Sequence, residues 1–404
     1  MKKSALYTAF LVVLIDLMGF GIVLPLLPFY SSQFGASAVA IGLLYSVYSF
    51  AQLLFSPIWG GLSDRVGRRP IMLMSTLGST LSYLLFAFSH SFALLFLSRL
   101  LAGIMGGNIS TAQAYVADVT EHHDRAKGMG LLGAAFGIGF IVGQGLASVL
   151  VHPAVSGSLP LENKYALPGF AAATLSAISF MLVLLKLPET VDKKNAAGAS
   201  KNARPSVFTP AFWRSLARQG QSSAAHVLPL LFASMFLLSF GQASLYSTFP
   251  LFCSRELALT AEKVGMQFVY MGLAAAVIQG VLLKRLEKRF GEKRLFLTGS
   301  VLMAAGQALI PFARSVPFLT AFLLLMAIGG SLNMPTLNSL ISKEASSAQM
   351  GAMMGSSQGL AALGRMIGPT WGGLLFGVSF KHPFVITGLL VSLTVFAGLK
   401  LQET

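Results

Sequence analysis

Residues 40–88 read AIGLLYSVYSFAQLLFSPIWGGLSDRVGRRPIMLMSTLGSTLSYLLFAF. Two mostly apolar runs, 40–59 and 71–88, flank a short connection that carries Asp64, Arg65, Arg68 and Arg69. A helix needs about 20 apolar residues to cross the roughly 30 Å hydrocarbon core of a bilayer. Each run meets that length, and the charged connection ends both at a water boundary. This is a membrane hairpin.

Outward from the hairpin the pattern repeats. Apolar stretches occupy 5–30, 40–59, 71–88, 92–117, 128–149, 166–187, 227–249, 265–283, 295–312, 318–341, 351–378 and 383–401. They predict an all-α integral membrane protein of twelve spans. A transmembrane β-barrel would instead show short alternating strands. The first stretch is too long for a signal-peptide core and no small-residue cleavage site follows it. Composition agrees: 54% of the 404 residues are hydrophobic and 11% charged, where a soluble domain carries about 25% charged. A mean hydropathy of +0.72 excludes a disordered chain and argues against a soluble enzyme. The single cysteine, Cys253, forms no intrachain disulfide.

The net charge of +15 has a topological origin. With Lys2 and Lys3 holding the amino terminus in the cytosol, twelve spans place both termini inside. The cytosolic segments then hold 22 of the 29 Lys and Arg, and the external loops hold five: Lys164, Arg255, Lys263, Arg314 and Lys381. That split follows the positive-inside rule, so no nucleic-acid partner is needed. Arg99 and Arg365 lie in the interior of spans, whereas Lys186 and Lys400 stand at the cytosolic ends of theirs.

The polar segment 188–226 divides the chain into six-span blocks, 1–187 and 227–404. Within this cytoplasmic linker, Pro210 to Gln219 reads as solvated chain with a few membrane-touching aromatics, or alternatively as a short interfacial helix. The blocks echo each other at an offset near 223, which pairs Gly42 with Gly265 and Asp64 with Glu287. The offset later becomes 225, pairing Gly139 with Gly364 and Gly143 with Gly368. Parallel six-span repeats are a transporter architecture with a central site between halves that rock.

The connection Gly60 to Pro70, G-G-L-S-D-R-V-G-R-R-P, resembles the cytoplasmic signature of the major facilitator superfamily at every defining position. The resemblance implies a two-bundle fold and a conformational latch formed by Gly60, Asp64, Arg65, Gly67, Arg68 and Arg69. Asp64 would face a helix amino terminus and its partial positive charge. Lys284 to Arg294 is a weakened second copy that keeps Glu287 and Gly291.

Span 1, L-I-D-L-M-G-F-G-I-V-L-P-L-L-P from Leu14 to Pro28, is similar to the first span of twelve-helix drug:proton antiporters, the tetracycline-efflux group in particular. Asp16 is the only acid in the twelve spans. It sits about 16 Å into the helix, where a carboxylate is costly and normally faces a cavity or a partner. Protonation is the cheapest way to neutralise it. In span 4, Arg99 and Gly103 resemble the superfamily's R-x-x-x-G motif. Arg99 lies about 10 Å and Asp16 about 14 Å from the outer face, so the two can meet. The expected coupling groups are therefore Asp16 and Arg99. The alternative is a structural Asp–Arg pair.

Asn108, Thr111 and Tyr115 continue span 4 as an i, i+3, i+7 stripe. With Gln242, Tyr246, Asn333 and Arg365 they are the expected substrate-cavity residues. Span 5 carries a glycine face with Gly139 and Gly143, but Gln144 stands where the antiporter signature has proline. Span 11 retains G-P-T-W-G-G from Gly368, including Pro369. These residues are expected to serve helix packing.

The likeness to tetracycline exporters extends through Tyr115 to Thr120. Those pumps have Asp before the span-3 tyrosine, whereas Ser82 precedes Tyr83 here, so cationic metal-tetracycline is not the expected substrate. The six histidines are scattered, and no nucleotide-binding Gly-rich loop with Lys-Ser/Thr occurs. No metal site, catalytic set or cofactor is expected.

The implied protein is a monomeric transporter in a bacterial inner membrane, exporting a small organic molecule in exchange for protons. An organic-anion carrier is the alternative, because two intramembrane Arg face one Asp. A non-transporting sensor or lipid-handling protein on the same fold is the third reading.

Overall fold

A computed structural model describes residues 3–106, 109–121, 124–157, 163–190, 224–343 and 350–400. The linker stretch Pro210 to Gln219 and the cavity candidate Asn108 lie outside them. Among the described residues every regular element is helical. Ten helical runs are long and apolar enough to cross a membrane. One of these, Ala261–Phe312, joins spans 8 and 9 in a single run. Span 11 is a continuous helix, Met350–Val378, although it is not one of the ten. Among the described residues, spans 1 to 12 are therefore all present as helix.

Span 1 opens as helix Lys3–Val23, tightens to a 3-10 turn at Leu24–Leu26 where Pro25 enters, and resumes over Leu27–Ser32. Proline is tolerated inside Ala38–Val66, Ala224–Leu257, Val316–Lys343 and Met350–Val378, as is common in membrane helices. Two glycines set the repeat-related turns. Gly67 (φ 118°) separates span 2 from span 3, and Gly291 (φ 76°) separates span 8 from span 9. Positive φ strains any residue with a Cβ, so the loop glycine common to both copies has one backbone cause.

The chain forms two compact units. The first comprises Met1–Ser37, Val47–Asn202 and Cys253–Val269; the second comprises Ala38–Ser46, Ala203–Phe252 and Tyr270–Thr404. In the first unit span 1 packs on spans 5 and 6, and span 3 packs on spans 4 and 6. A Cβ on Gly139 would meet the Leu14 carbonyl at 2.7 Å, and one on Gly143 would meet Gly21 Cα at 2.9 Å. In the second unit the equivalent glycines do the same on span 7. A Cβ on Gly364 would meet the Phe236 carbonyl at 2.7 Å, and one on Gly368 the Phe240 carbonyl at 2.5 Å. Such close backbone approach is what small residues permit where lipid removes the hydrophobic drive between helices.

Each unit also includes a short segment from the other half of the sequence. In the second unit, Gly42 of span 2 lies on Pro369 and Thr370, and Ser46 Oγ is 2.7 Å from Thr370 Oγ1. In the first unit, Gly265 of span 8 lies on Ser148 and Gln144. There Ser148 Oγ donates to the Glu262 carbonyl at 2.7 Å, and His152 Nε2 is 3.6 Å from Glu262 Oε1. Gly42 and Gly265 are repeat mates, as are Gln144 and Pro369, so the internal repeat appears as matched contacts.

Candidate functional site

In the first unit, spans 1, 3 and 4 gather a carboxylate, a phenol and a guanidinium. Gly19, one turn past Asp16, lies against the Tyr83 ring, where an added Cβ would stand 3.0 Å from Cε2. Tyr83 is buried, and the charges of Asp16 and Arg99 both act on its hydroxyl. Arg99 is 2% exposed. Its guanidinium carbon lies 5.9 Å from the Tyr83 ring centroid and 5.2 Å from that of Phe86, and Nε donates to Ser98 Oγ at 3.3 Å. Two aromatic faces thus share the cost of burying this cation. Arginine stays charged in any protein environment, so Arg99 supplies a fixed positive field beside a group that can take up a proton.

Asp16 itself is half-buried. Phe20, one turn on, stacks on Tyr48 with centroids 4.9 Å apart and tilts against Phe140 at 6.1 Å. Gln52 Nε2 donates to the Gly106 carbonyl at 3.1 Å. Spans 1 to 4 of this unit therefore combine aromatic surface with amide groups and a single intramembrane acid, a chemistry suited to organic ligands. Sequence reasoning brought Asp16 and Arg99 together but gave Tyr83 no role. The available signal was Tyr83 itself, the span-3 tyrosine used only as a landmark for Ser82.

The other described cavity candidates differ in their surroundings within each unit. Thr111 and Tyr115 are fully buried. Tyr115 belongs to a hydrophobic cluster with Leu6, Ala9, Met72 and Leu132. Gln242 Nε2 donates to Tyr246 Oη at 3.3 Å along span 7, both residues being half-buried. Asn333 is buried against Gly299 of span 9, and neither side-chain amide atom has a hydrogen-bond partner. Arg365 is exposed, on a helix whose neighbouring glycines Gly364 and Gly368 are turned into the span-7 contact.

The charged connection between spans 2 and 3 is internally paired. Arg68 Nη1 binds Asp64 Oδ1 at 2.5 Å and donates to Ser63 Oγ at 2.6 Å, while Nε reaches Asp118 Oδ2 at 3.1 Å. Arg69 Nη2 donates to the Leu184 carbonyl at 2.7 Å. Gly67 is buried, Gly60 half-buried and Arg65 exposed. At the amino terminus of span 3 the capping carboxylate is Glu189, not Asp64. It accepts from the Arg68 N–H at 2.9 Å and the Arg69 N–H at 3.2 Å, satisfying two donors that a helix start leaves open. Asp64 is 64% exposed, so its ion pair contributes little to stability. Asp64→Asn is accordingly expected to leave expression and melting temperature near wild type while slowing transport several-fold, read as initial rates in vesicles. Wild-type rates would remove the latch role.

Among the described residues no group of three or more His, Cys, Asp or Glu is placed to hold a metal ion.

The family profile of the Major Facilitator Superfamily matches residues 9–288 and 231–403. The class B tetracycline resistance protein of Escherichia coli is 31% identical over 392 residues, covering 95% of this chain and 90% of that one. Multidrug resistance protein 2 of Bacillus subtilis is 27% identical over 402 residues, covering 97% and 95%. The crystal structure of the human organic anion transporter MFSD10 (TETRAN) superposes with a TM-score of 0.70 at 28% identity, covering 98% and 99%. These relatives are carriers, with no enzyme among them. With its span pattern, paired loop glycines and glycine-faced helix contacts, the chain belongs to the major facilitator superfamily, in the tetracycline-efflux-like group of drug:proton antiporters, and is a transporter of small organic molecules.

Proposed function

We propose that the chain exports its organic substrate in exchange for protons by alternating access, with the proton carried on Asp16. The observation that supports this reading is the gathering of Asp16, Tyr83 and Arg99. The sole acid of the spans stands within the field of a permanent cation and beside a phenol. A carboxylate that exchanges protonation for substrate needs both an electrostatic bias and a way to lose its charge inside the membrane. The source of energy is then the proton gradient, with no cofactor. The positive-charge asymmetry supports a cytoplasmic membrane with both termini inside, and the division at residues 188–226 supports two six-span bundles. Inverted vesicles test the reading. Candidate drugs should accumulate on imposing a proton gradient and leak out on adding a protonophore. Accumulation indifferent to the protonophore would defeat it.

Relatives named for tetracycline and multidrug resistance support a drug-like substrate. Ser82 withholds the span-3 acid and so disfavours a metal-chelated cation. A second reading, an anionic or zwitterionic substrate, is favoured by Arg365, which sits about 9 Å below the outer face on the proposed topology and is exposed. Guanidinium groups bind carboxylates bidentately, and a structural neighbour bears the name organic anion transporter. Arg365→Ala is expected to weaken binding of anionic ligands about tenfold or more while sparing cationic dyes, measured by thermal shift on purified protein. Equal loss for both classes would return the substrate to the broad cationic-drug class.

A further inference from the structure

We propose that the connection between spans 8 and 9, Lys284 to Arg294, binds the headgroups of anionic phospholipids. The comparison with its repeat mate carries the argument. Between spans 2 and 3, Arg68 is matched by Asp64 and Asp118, and Arg69 by the Leu184 carbonyl. Between spans 8 and 9 stand six cations: Lys284, Arg285, Lys288, Arg289, Lys293 and Arg294. None of them forms an ion pair among the described residues. The local acids are Glu287, which is exposed, and Glu292. Glu292 is already engaged, with Lys343 Nζ at 2.9 Å and the Ser339 hydroxyl at 2.7 Å. Burial works against its charge, but Lys343, the Ser339 hydroxyl and a hydrogen bond with Glu287 hold its carboxyl below the usual carboxylate range. It therefore stays ionised and committed to Lys343 at neutral pH. Six cations stand against two local carboxylates, of which Glu292 is committed to Lys343 and Glu287 in turn bonds to Glu292.

The geometry repeats the demand for a counter-charge. Lys284 and Lys288, and Arg285 and Arg289, are i, i+4 pairs in adjacent rows of one helix, and like charges at that spacing repel. A short π-helical turn, Ile278–Leu282, precedes them and shifts the register between the apolar and the basic parts of the run. Phe290 is 42% exposed beside these charges, with the Arg289 guanidinium 5.3 Å from its ring. An exposed aromatic among cations is the composition of a surface that meets both headgroup and acyl chain. Position completes the case. The apolar runs end at 283 and restart at 295, so the cations sit at the membrane boundary, within the screening distance over which anionic lipids attract Lys and Arg. A nucleic acid or a free phosphate would also offer negative charge, but neither accounts for the exposed phenylalanine at that depth.

The proposal rests on the membrane assignment and not on the transport cycle, so its test reads lipid and not flux. The purified protein, in a neutral detergent, is titrated with phosphatidylglycerol or with phosphatidylcholine, and bound lipid is counted by native mass spectrometry. Wild-type protein is expected to prefer phosphatidylglycerol by about tenfold. Replacing Lys284, Arg285, Lys288 and Arg289 by Gln should erase that preference, and salt near 0.5 M should reduce it in the wild type. Should the fourfold variant fail to fold, the Lys284→Gln/Lys288→Gln pair is expected to lose part of the preference and Phe290→Ala a smaller part. Equal retention of both lipids, an undiminished preference in the variants, or full displacement of the lipid by millimolar inorganic phosphate would overturn the proposal. The last result would assign the cluster to free anions.

Discussion

Asp16→Asn is expected to abolish uphill accumulation in inverted vesicles, down to the level of empty vesicles, while expression, insertion and substrate exchange without a gradient persist. The substitution keeps the size and most hydrogen-bonding capacity of the side chain and removes only its ability to ionise. No other span carries an acid, so no second carboxylate within the membrane is at hand to take over. Asn is also neutral, as the protonated carboxylic acid is, so the variant imitates one half of the cycle and should bind substrate. Tyr83→Phe provides a graded companion. It deletes the hydroxyl on which both Asp16 and Arg99 act and leaves the ring that lines the Arg99 guanidinium. Removing this polar group from beside the carboxylate is expected to lower transport a few-fold and leave it proton-driven. Uphill pumping by Asp16→Asn would show that the proton travels elsewhere or that no proton is coupled.

Helix-level features were legible because they rest on local rules. The spans follow from apolar length, and the two positive-φ turns follow from Gly67 and Gly291 inside loops with the same pattern of charge. The span contacts at Gly139, Gly143, Gly364 and Gly368 follow from glycine at i, i+4 spacing. Contacts that depend on where distant segments meet were not legible. Glu189 caps span 3 from 121 positions away in sequence, and nothing in its neighbourhood distinguishes it from a linker carboxylate. Tyr115 lies at helical spacing from Thr111, which suggested a cavity stripe. That periodicity marks a face without saying what the face meets, and Tyr115 joins the hydrophobic cluster of the first unit. The π turn at Ile278–Leu282 leaves no proline or charge signature in its sequence, IQGVL.

Span 5 offers the sharpest structural test, because its glycines divide by face. A Cβ on Gly139 or Gly143 would press on the backbone of span 1, at Leu14 and Met18 and, for Gly143, at Gly21. Backbone cannot step aside by changing rotamer, so the helices themselves must separate. Overpacking of this kind costs about 1–3 kcal/mol, occasionally more, and here it acts where two glycines, Gly21 and Gly143, meet face to face. Gly143→Val is therefore expected to lower the melting temperature by several degrees and to cut the yield of folded protein. Gly143→Ala should fall between it and the wild type. On the same helix Gly133 and Gly137 are exposed, and a Cβ at either meets nothing within 4 Å. Gly133→Ala and Gly137→Ala should hold stability or raise it by up to about 1 kcal/mol, since alanine restricts the unfolded chain and favours helix. The contrast is what fluorescence-detected melting of the four variants would read. If all four melt alike, close approach of spans 1 and 5 is not what the span-5 glycines provide, and the glycine at position 143 needs a cause other than packing.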